Sequence, residues 1–355
     1  MKSFLLFLLL FFSIFALQAQ DARLMSVADS LHRTFVSIDT HNDASLRFNF
    51  PDRSRGTGQV SFPLMKQGGL DVAFFAAYVA QGPCTDEGHL NAFENINSQL
   101  RGLHKYVEER STEGEIAYTP QDMRRIKPTG RSAMVLGIEN GYCIGTKLSN
   151  VKHFYDLGVR IITLCHNGNN VICDSSADTL LHNGLSSFGR EVVQEMNRLG
   201  IVIDVSHASK TTTLEVVALS KDPVMASHSG IYALHSVPRN LSDAEMLAIA
   251  AKGGVIQVGI AGFFLSTLPR TEVTVKHVVD HIDYVVNLVG IDYVGIGSDF
   301  DGGGGVSDCA NMGEMKNITV ELLRRGYTAA AIAKIWGENT IRLVEQVQKS
   351  ASDKR

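Results

Sequence analysis

The chain has 355 residues, 45% of them apolar, with a formal net charge of −4 and a pI near 6.3. That length carries a large core, enough for one α/β barrel with insertions. Mild acidity and dispersed Lys and Arg residues argue against a nucleic-acid partner, which a basic patch would announce.

Residues 1–20 read as a secretory signal peptide. Lys2 gives a short positive start, 4–12 is apolar without a break, and Ala16 and Ala19 offer small residues for cleavage. A membrane anchor is the alternative, but a span needs roughly 20 apolar residues, and no second segment of that length follows. The mature chain, 21–355, is therefore expected to be one exported barrel domain, periplasmic or secreted, with no stable membrane span.

Eight short apolar runs bounded by turn residues then read as buried strands: 35–43, 72–79, 133–139, 161–166, 201–207, 224–228, 254–260 and 293–299. Helical patterns lie between them at 90–108, 188–199, 211–219, 244–251 and 275–288. Ser209 and Ser242 stand as N-caps, the latter with Glu245 in a capping-box position. A last helix is expected over 329–347, followed by a polar, frayed tail. Strand–helix alternation implies parallel pairing with right-handed crossovers. Eight repeats predict a (β/α)8 barrel, with a doubly wound open sheet as the alternative.

Six of the eight runs end in a histidine or a carboxylate, so the barrel would gather them on its C-terminal face. His41 and Asp43, two apart, share one face of a strand. Alone, this pair is a weak signal; Glu139 alone is a buried carboxylate needing a partner, and His207 or His228 alone is a core histidine. Together the five offer nitrogen and carboxylate ligands on four strand tips, a set that suits zinc, with one carboxylate able to bridge two ions. His166 and Asp299 end two further runs with groups suited to proton work. There is no H-E-x-x-H zincin helix and no G-x-S-x-G elbow. Gly302–Gly305 lacks the Lys-Ser/Thr of a phosphate loop and is expected to be a mobile loop. Of the five cysteines none forms a C-x-x-C pair; Cys165, inside an apolar run, reads as a small buried hydrophobe. His32, His89, His104, His153, His182 and His235 read as surface or loop residues.

Several stretches resemble the membrane (renal) dipeptidase family of binuclear zinc peptidases, within the amidohydrolase-like barrels. They are Asp39-Thr-His41-Asn-Asp43, Gly137-Ile-Glu139-Asn-Gly141, Thr163-Leu-Cys-His166, Ile203-Asp-Val-Ser-His207, Ala226-Ser-His228-Ser, Pro238-Arg239-Asn240 and Gly297-Ser-Asp299-Phe-Asp-Gly, in family order across most of the mature chain. The resemblance implies two Zn²⁺ per chain, with His41 and Asp43 on one ion, His207 and His228 on the other, and Glu139 bridging. It further implies His166 on the substrate carbonyl, Arg239 on the substrate carboxylate and Asp299 as proton carrier, in a dipeptidase that attacks with a hydroxide bridging the metals. A homodimer also follows from the resemblance. Some relatives tie the loops after the second and fourth strands together, which implies a Cys84–Cys173 disulfide. Two departures stand out: Asn140 occupies a position where some relatives carry glycine, and Gly259-Ile-Ala-Gly262 lacks a tyrosine found near the substrate in some members. A related amidohydrolase acting on N-acyl amino acids or lactams, and a non-catalytic barrel with a structural metal, are the rival readings.

Overall fold

The computed structural model describes residues 20–45 and 58–352. Strands β1 (Ile38–Asn42), β2 (Val72–Tyr78), β3 (Gly114–Ile116), β4 (Ser132–Glu139), β5 (Val159–Thr163), β6 (Val202–Asp204), β7 (Met225–Ser229), β8 (Val255–Gly259) and β9 (Val294–Gly297) form one sheet. All pairs are parallel, in the order β1-β2-β4-β5-β6-β7-β8-β9, with β3 beside β4. The two ends of that order meet. Asp299 N–H donates to His41 C=O at 3.0 Å and Asp43 N–H to Phe300 C=O at 2.9 Å. The Asp39 carboxylate accepts from Ser298 N–H at 2.6 Å and from its hydroxyl at 2.7 Å. The expected (β/α)8 barrel is the observed architecture, and the open-sheet alternative falls because no free edge remains between β1 and β9.

Period-two alternation aims the site residues. On β4, Ala133 and Val135 pack in one apolar cluster with Val72, Phe74, Ile161, Val202, Met225 and Val255. Met134, Leu136 and Ile138 join the other cluster, with helix residues such as Val192, Met196, Val278 and Ile282. Glu139 continues the first set by two-residue steps, so it ends the strand facing inward. Five helices lie where the periodicity places them: Asp86–Glu109, Ser187–Leu199, Lys210–Leu219, Asp243–Ala251 and Val275–Val289. Ser209 caps its helix by accepting from Thr212 N–H, and Ser242 forms the capping box with Glu245.

Several expectations need correction. The strand at Gly114–Ile116 was not expected. The C-terminal pattern is interrupted by a π-helical turn, Lys334–Glu338, and its helix continues to Ser352. There Gly337 approaches Val36 so closely that a Cβ would lie 1.9 Å from its carbonyl oxygen. The glycine loop after β9 is not loose: Gly302 and Gly304 N–H both donate to Asp299 C=O and Gly305 N–H to Ile260 C=O. All five cysteines are free, so the Cys84–Cys173 disulfide is absent. Both residues sit on loops after the expected strands, but Cys173 is turned into the core beside Cys165 while Cys84 stays at the surface against Gln81. The signal peptide falls on residues outside those described, except residue 20, which opens a helix over 20–32. Residues 353–355 of the tail also lie outside them. No helix among the described residues is long and apolar enough to cross a membrane.

Three histidines outside the site are buried, and two of them, His32 and His89, were expected at the surface. The third, His281, lies on Val275–Val289 and joins two top-face segments. Its Nδ1 accepts from Ile231 N–H at 3.0 Å, so Nε2 carries the proton and donates to Leu265 C=O at 3.1 Å. Burial holds His281 neutral and pushes its pKa down to about 4. The unfolded chain therefore binds a proton that the folded chain refuses between pH 6.5 and 4. This contribution is intact above pH 6.5 and is lost progressively down to pH 4, by about 3 kcal/mol in all. Denaturant titrations should show stability falling across this window. His281→Gln should be less stable at pH 7 but show a shallower fall; an unchanged slope would contradict the assignment.

Candidate active site

The C-terminal tips of the strands converge on a cleft of about 240 Å³ lined by Asp43, Tyr78, Glu139, His166, Asn167, His207, His228, Phe263, Phe264, Asp299, Asp301 and Gly302. Of the residues singled out in the sequence, His41, Asp43, Glu139, His207, His228 and Asp299 come together here and are buried. Glu139 Oε1 lies 3.0 Å from His207 Nε2, 3.4 Å from His228 Nε2 and 3.6 Å from His41 Nε2. Potential ligand atoms fall into two close groups, Glu139–His207–His228 and His41–Asp43–Asp299. A third, containing Asp204, has no acceptor to spare. Asp204 accepts from the Thr163 hydroxyl, from Ser206 and Ser227 N–H and from the Ser227 hydroxyl.

The surrounding bonds fix the imidazole tautomers. Asn167 Oδ1 can only accept, so the 3.0 Å bond puts the His207 proton on Nδ1. The Ser227 hydroxyl donates to Asp204 at 2.6 Å and so accepts from His228 Nδ1 at 2.8 Å. Both Nε2 atoms then present lone pairs, and they face each other across 3.0 Å. Two lone pairs at that distance repel unless a cation lies between or beside them. His41 Nε2 and Asp43 Oδ1 are buried with no hydrogen-bond partner, although buried polar atoms are normally satisfied. The donor set of neutral imidazoles and carboxylates fits metal cations, and burial with orphaned atoms is unfavourable without them.

Electrostatics agree. Burial drives the His207 and His228 pKa values well below 6.5, which keeps these rings neutral for coordination. Burial opposes ionisation of Glu139, but the positive charge of His41 beside it outweighs this and holds the carboxyl well below its usual range. His41 is held well above its usual value, burial being overcome by the negative charges of Glu139 and Asp43, each 3.6 Å from Nε2. Burial, then the charge of Glu139, pushes Asp43 up to about 7, and burial, then Asp43, raises Asp299 far above a normal carboxyl. A bound cation reverses this logic for both aspartates.

The backbone is strained at the same place. Of five non-glycine residues with positive φ among those described, four are Asn140, His207, Asp299 and Asp301. Left-handed conformations cost free energy outside glycine and cluster at functional sites. Asn140, at φ 80°, explains why glycine suits that position, and its side chain compensates by donating to Val79 C=O at 3.0 Å and accepting from Tyr142 N–H at 3.1 Å. A Cβ on Gly302 would lie 2.0 Å from Asp43 Oδ2 and 2.6 Å from Asp299 Oδ1, so glycine is required for the loop to reach the carboxylates.

His166 lines the cleft, with its ring 4.8 Å from that of Tyr78 and Nδ1 3.4 Å from the Tyr78 hydroxyl. Arg239 stands one layer back. It is buried, donates from Nη1 to Ser229 Oγ at 3.0 Å and from Nη2 to His228 C=O at 2.8 Å, and its Nε is unpartnered. Three of its five N–H groups remain unused by these bonds. Tyr78, Asn167, Asp204 and Ser227 were missed in the sequence. Ser227 and Asn167 carried only the cue of adjacency, to His228 and His166; Tyr78 and Asp204 act through contacts between strands far apart in the chain.

The family model for membrane dipeptidases, peptidase family M19, matches residues 25–355. The chain is 32% identical over 333 residues to dipeptidase tcpJ of Claviceps purpurea, covering 89% of this chain and 78% of that protein. A crystal structure described as the probable dipeptidase PvdM from Pseudomonas aeruginosa is 31% identical, with a TM-score of 0.88 and coverage of 93% and 100% of the two chains. Dipeptidase AC, a metallo peptidase of family M19, is 26% identical with a TM-score of 0.81, covering 89% and 99%. The match runs through every strand whose tip faces the cleft, and the chain belongs to the membrane dipeptidase family as a metal-dependent hydrolase of peptide bonds.

Proposed function

We propose that this protein is an exported dipeptidase that uses two zinc ions to cleave dipeptides with a free C-terminal carboxylate. The observation that carries the reading is a cluster of five ligand side chains at the floor of the cleft, in which His41 and Asp43 carry orphaned atoms and His207 and His228 turn lone pairs towards each other. His41 and Asp43 would hold one ion, His207 and His228 the other, and Glu139 would serve both. Zinc in such a site lowers the pKa of bound water towards neutrality and polarises a carbonyl. His166 lines the cleft, is neutral because burial lowers its pKa, and would donate a hydrogen bond to the oxygen of the scissile carbonyl as charge develops there. Asp299 takes the proton of the attacking water and returns it to the leaving amine. Arg239 offers its remaining N–H groups to the substrate carboxylate, which limits length to two residues. Residues 1–20 act as the export signal and 21–355 as one catalytic barrel domain.

Purified protein should bind close to two zinc ions per chain by elemental analysis, and chelation should abolish dipeptide hydrolysis until zinc is restored. Glu139→Ala should lose at least one ion; retention of both would remove its bridging role.

C-terminally amidated dipeptides should be poor substrates. Loss of a charge-assisted bond costs about 1.5–3 kcal/mol, so Arg239→Ala should lower kcat/KM at least about tenfold on free dipeptides. Equal turnover of amidated and free forms would sink the carboxylate role.

Asp299→Asn keeps the shape but carries no proton. It should fold, retain both metals and lose about 10²–10⁴-fold in kcat; near-normal turnover would move the proton role to another group, His166 first.

A further inference from the structure

The loop after β8 forms an aromatic wall that the catalytic reading leaves unused. Phe263 and Phe264 lie on the short helix Gly262–Leu265, line the cleft, and pack edge to face with ring centroids 4.2 Å apart. Phe263 remains 43% exposed, so its ring is open to the cleft that it lines. Its position is fixed rather than incidental. A Cβ built on Gly303 would lie 3.3 Å from two Phe263 ring carbons and 3.7 Å from Asp299 Oδ2, so ring and carboxylate border the same point. Arg270 donates to Gly303 C=O at 2.8 Å and lies 5.8 Å from the centre of the Phe263 ring, closing its far side. Phe264 is anchored through its carbonyl, which accepts from Asn240 at 2.8 Å, and the Arg239 guanidinium lies 5.3 Å from its ring centre. Leu265 C=O takes the His281 bond described above.

The wall thus spans from Asp299 to Arg239. In the proposed reaction Asp299 protonates the leaving amine and Arg239 holds the carboxylate, and both groups belong to the C-terminal residue of the dipeptide. The side chain carried between that amine and that carboxylate is thereby brought within reach of Phe263 and Phe264. We propose that these two rings form a subsite for the C-terminal side chain and select dipeptides ending in an aromatic or large aliphatic residue. The inference rests on the dipeptidase reading. Burying such a side chain against two rings is favourable in proportion to the apolar area covered, with an added edge-to-face preference for aromatic substrates.

The test uses the full zinc-loaded protein with Ala-Phe, Ala-Leu and Ala-Gly, and with Phe-Ala and Gly-Ala as the reversed set. The wild type should favour Ala-Phe over Ala-Gly by about tenfold or more in kcat/KM. Phe263→Ala should lower that ratio at least fivefold, with Phe263→Leu intermediate; neither should move the Phe-Ala to Gly-Ala ratio. Equal rates on Ala-Phe and Ala-Gly would overturn the subsite, as would an unchanged ratio in Phe263→Ala. A preference that appears only in the reversed set would place the wall on the N-terminal side and overturn it too. Absence of hydrolysis for every dipeptide would instead overturn the dipeptidase reading. The subsite is then read by calorimetry with phosphinate mimics of Ala-Phe and Ala-Gly: about tenfold tighter binding of the first is expected, and equal affinity refutes it.

Discussion

A carboxylate sealed at the tip of β4 among three imidazole nitrogens sets the terms for the rest of the structure. Glu139 is 3% exposed, and an isolated buried charge of this kind is far too costly to persist. The rings around it do not fully answer the demand, because His207 and His228 are already fixed as acceptors at Nε2 by Asn167 and Ser227. His41 alone brings positive charge to it, and the facing Nε2 lone pairs of His207 and His228 leave a place for a cation among the ligand atoms. A site that is self-consistent only when a cation is present couples metal binding to the folded state.

That demand explains where the chain accepts strain. His207 and Asp299 adopt left-handed backbone conformations just beyond β6 and β9; for His207 a regular strand, continuing the outward set of Ile203 and Val205, would send the side chain to the wrong side. The surrounding bonds over-determine both turns. Asp299 N–H is held by His41 C=O, and Asp299 C=O in turn accepts from Gly302 and Gly304. Asp204 gathers donors from β5, from the turn just past β6 and from β7 on one carboxylate, so the tips carrying His166, His207 and His228 are referenced to one another rather than set loop by loop. This is the arrangement expected when supporting residues, not the ligands alone, fix a metal site.

The strand tips were legible in the sequence because each combined two strong signals, a short apolar run and an abrupt ligand-type residue. The barrel followed from counting those runs, and the capped helices at Lys210–Leu219 and Asp243–Ala251 from Ser209 and Ser242. What was not legible depends on geometry between distant segments. Gly114–Ile116 is three residues long and has no periodicity to detect; it exists as a strand because β4 offers it a partner. Cys84 and Cys173 lie on the expected loops, but which way a thiol turns is decided by packing against Cys165. His281 looks like an ordinary helix residue until Ile231 and Leu265, fifty positions before and sixteen before it, close on both ring nitrogens. Asn167 follows His166 and draws attention only when His207 is seen beside it.

The ligand-type residues and the aromatic wall occupy different parts of the fold for a mechanical reason. Ligands on strand tips inherit the rigidity of a closed sheet in which every neighbour is hydrogen-bonded, and metal geometry tolerates little displacement. The aromatic wall stands on a four-residue helix held at a few points: Asn240 on one carbonyl, His281 on another, and Arg270 behind one ring. Such a segment can change its side chains without disturbing the sheet beneath it, so one metal floor can serve different substrates by exchanging the wall. The lack of a tyrosine after β8 is then no defect in the catalytic set. Phe263 and Phe264 occupy that side of the cleft with apolar surface, and a pocket of that character discriminates by the area it buries rather than by the hydrogen bonds it makes.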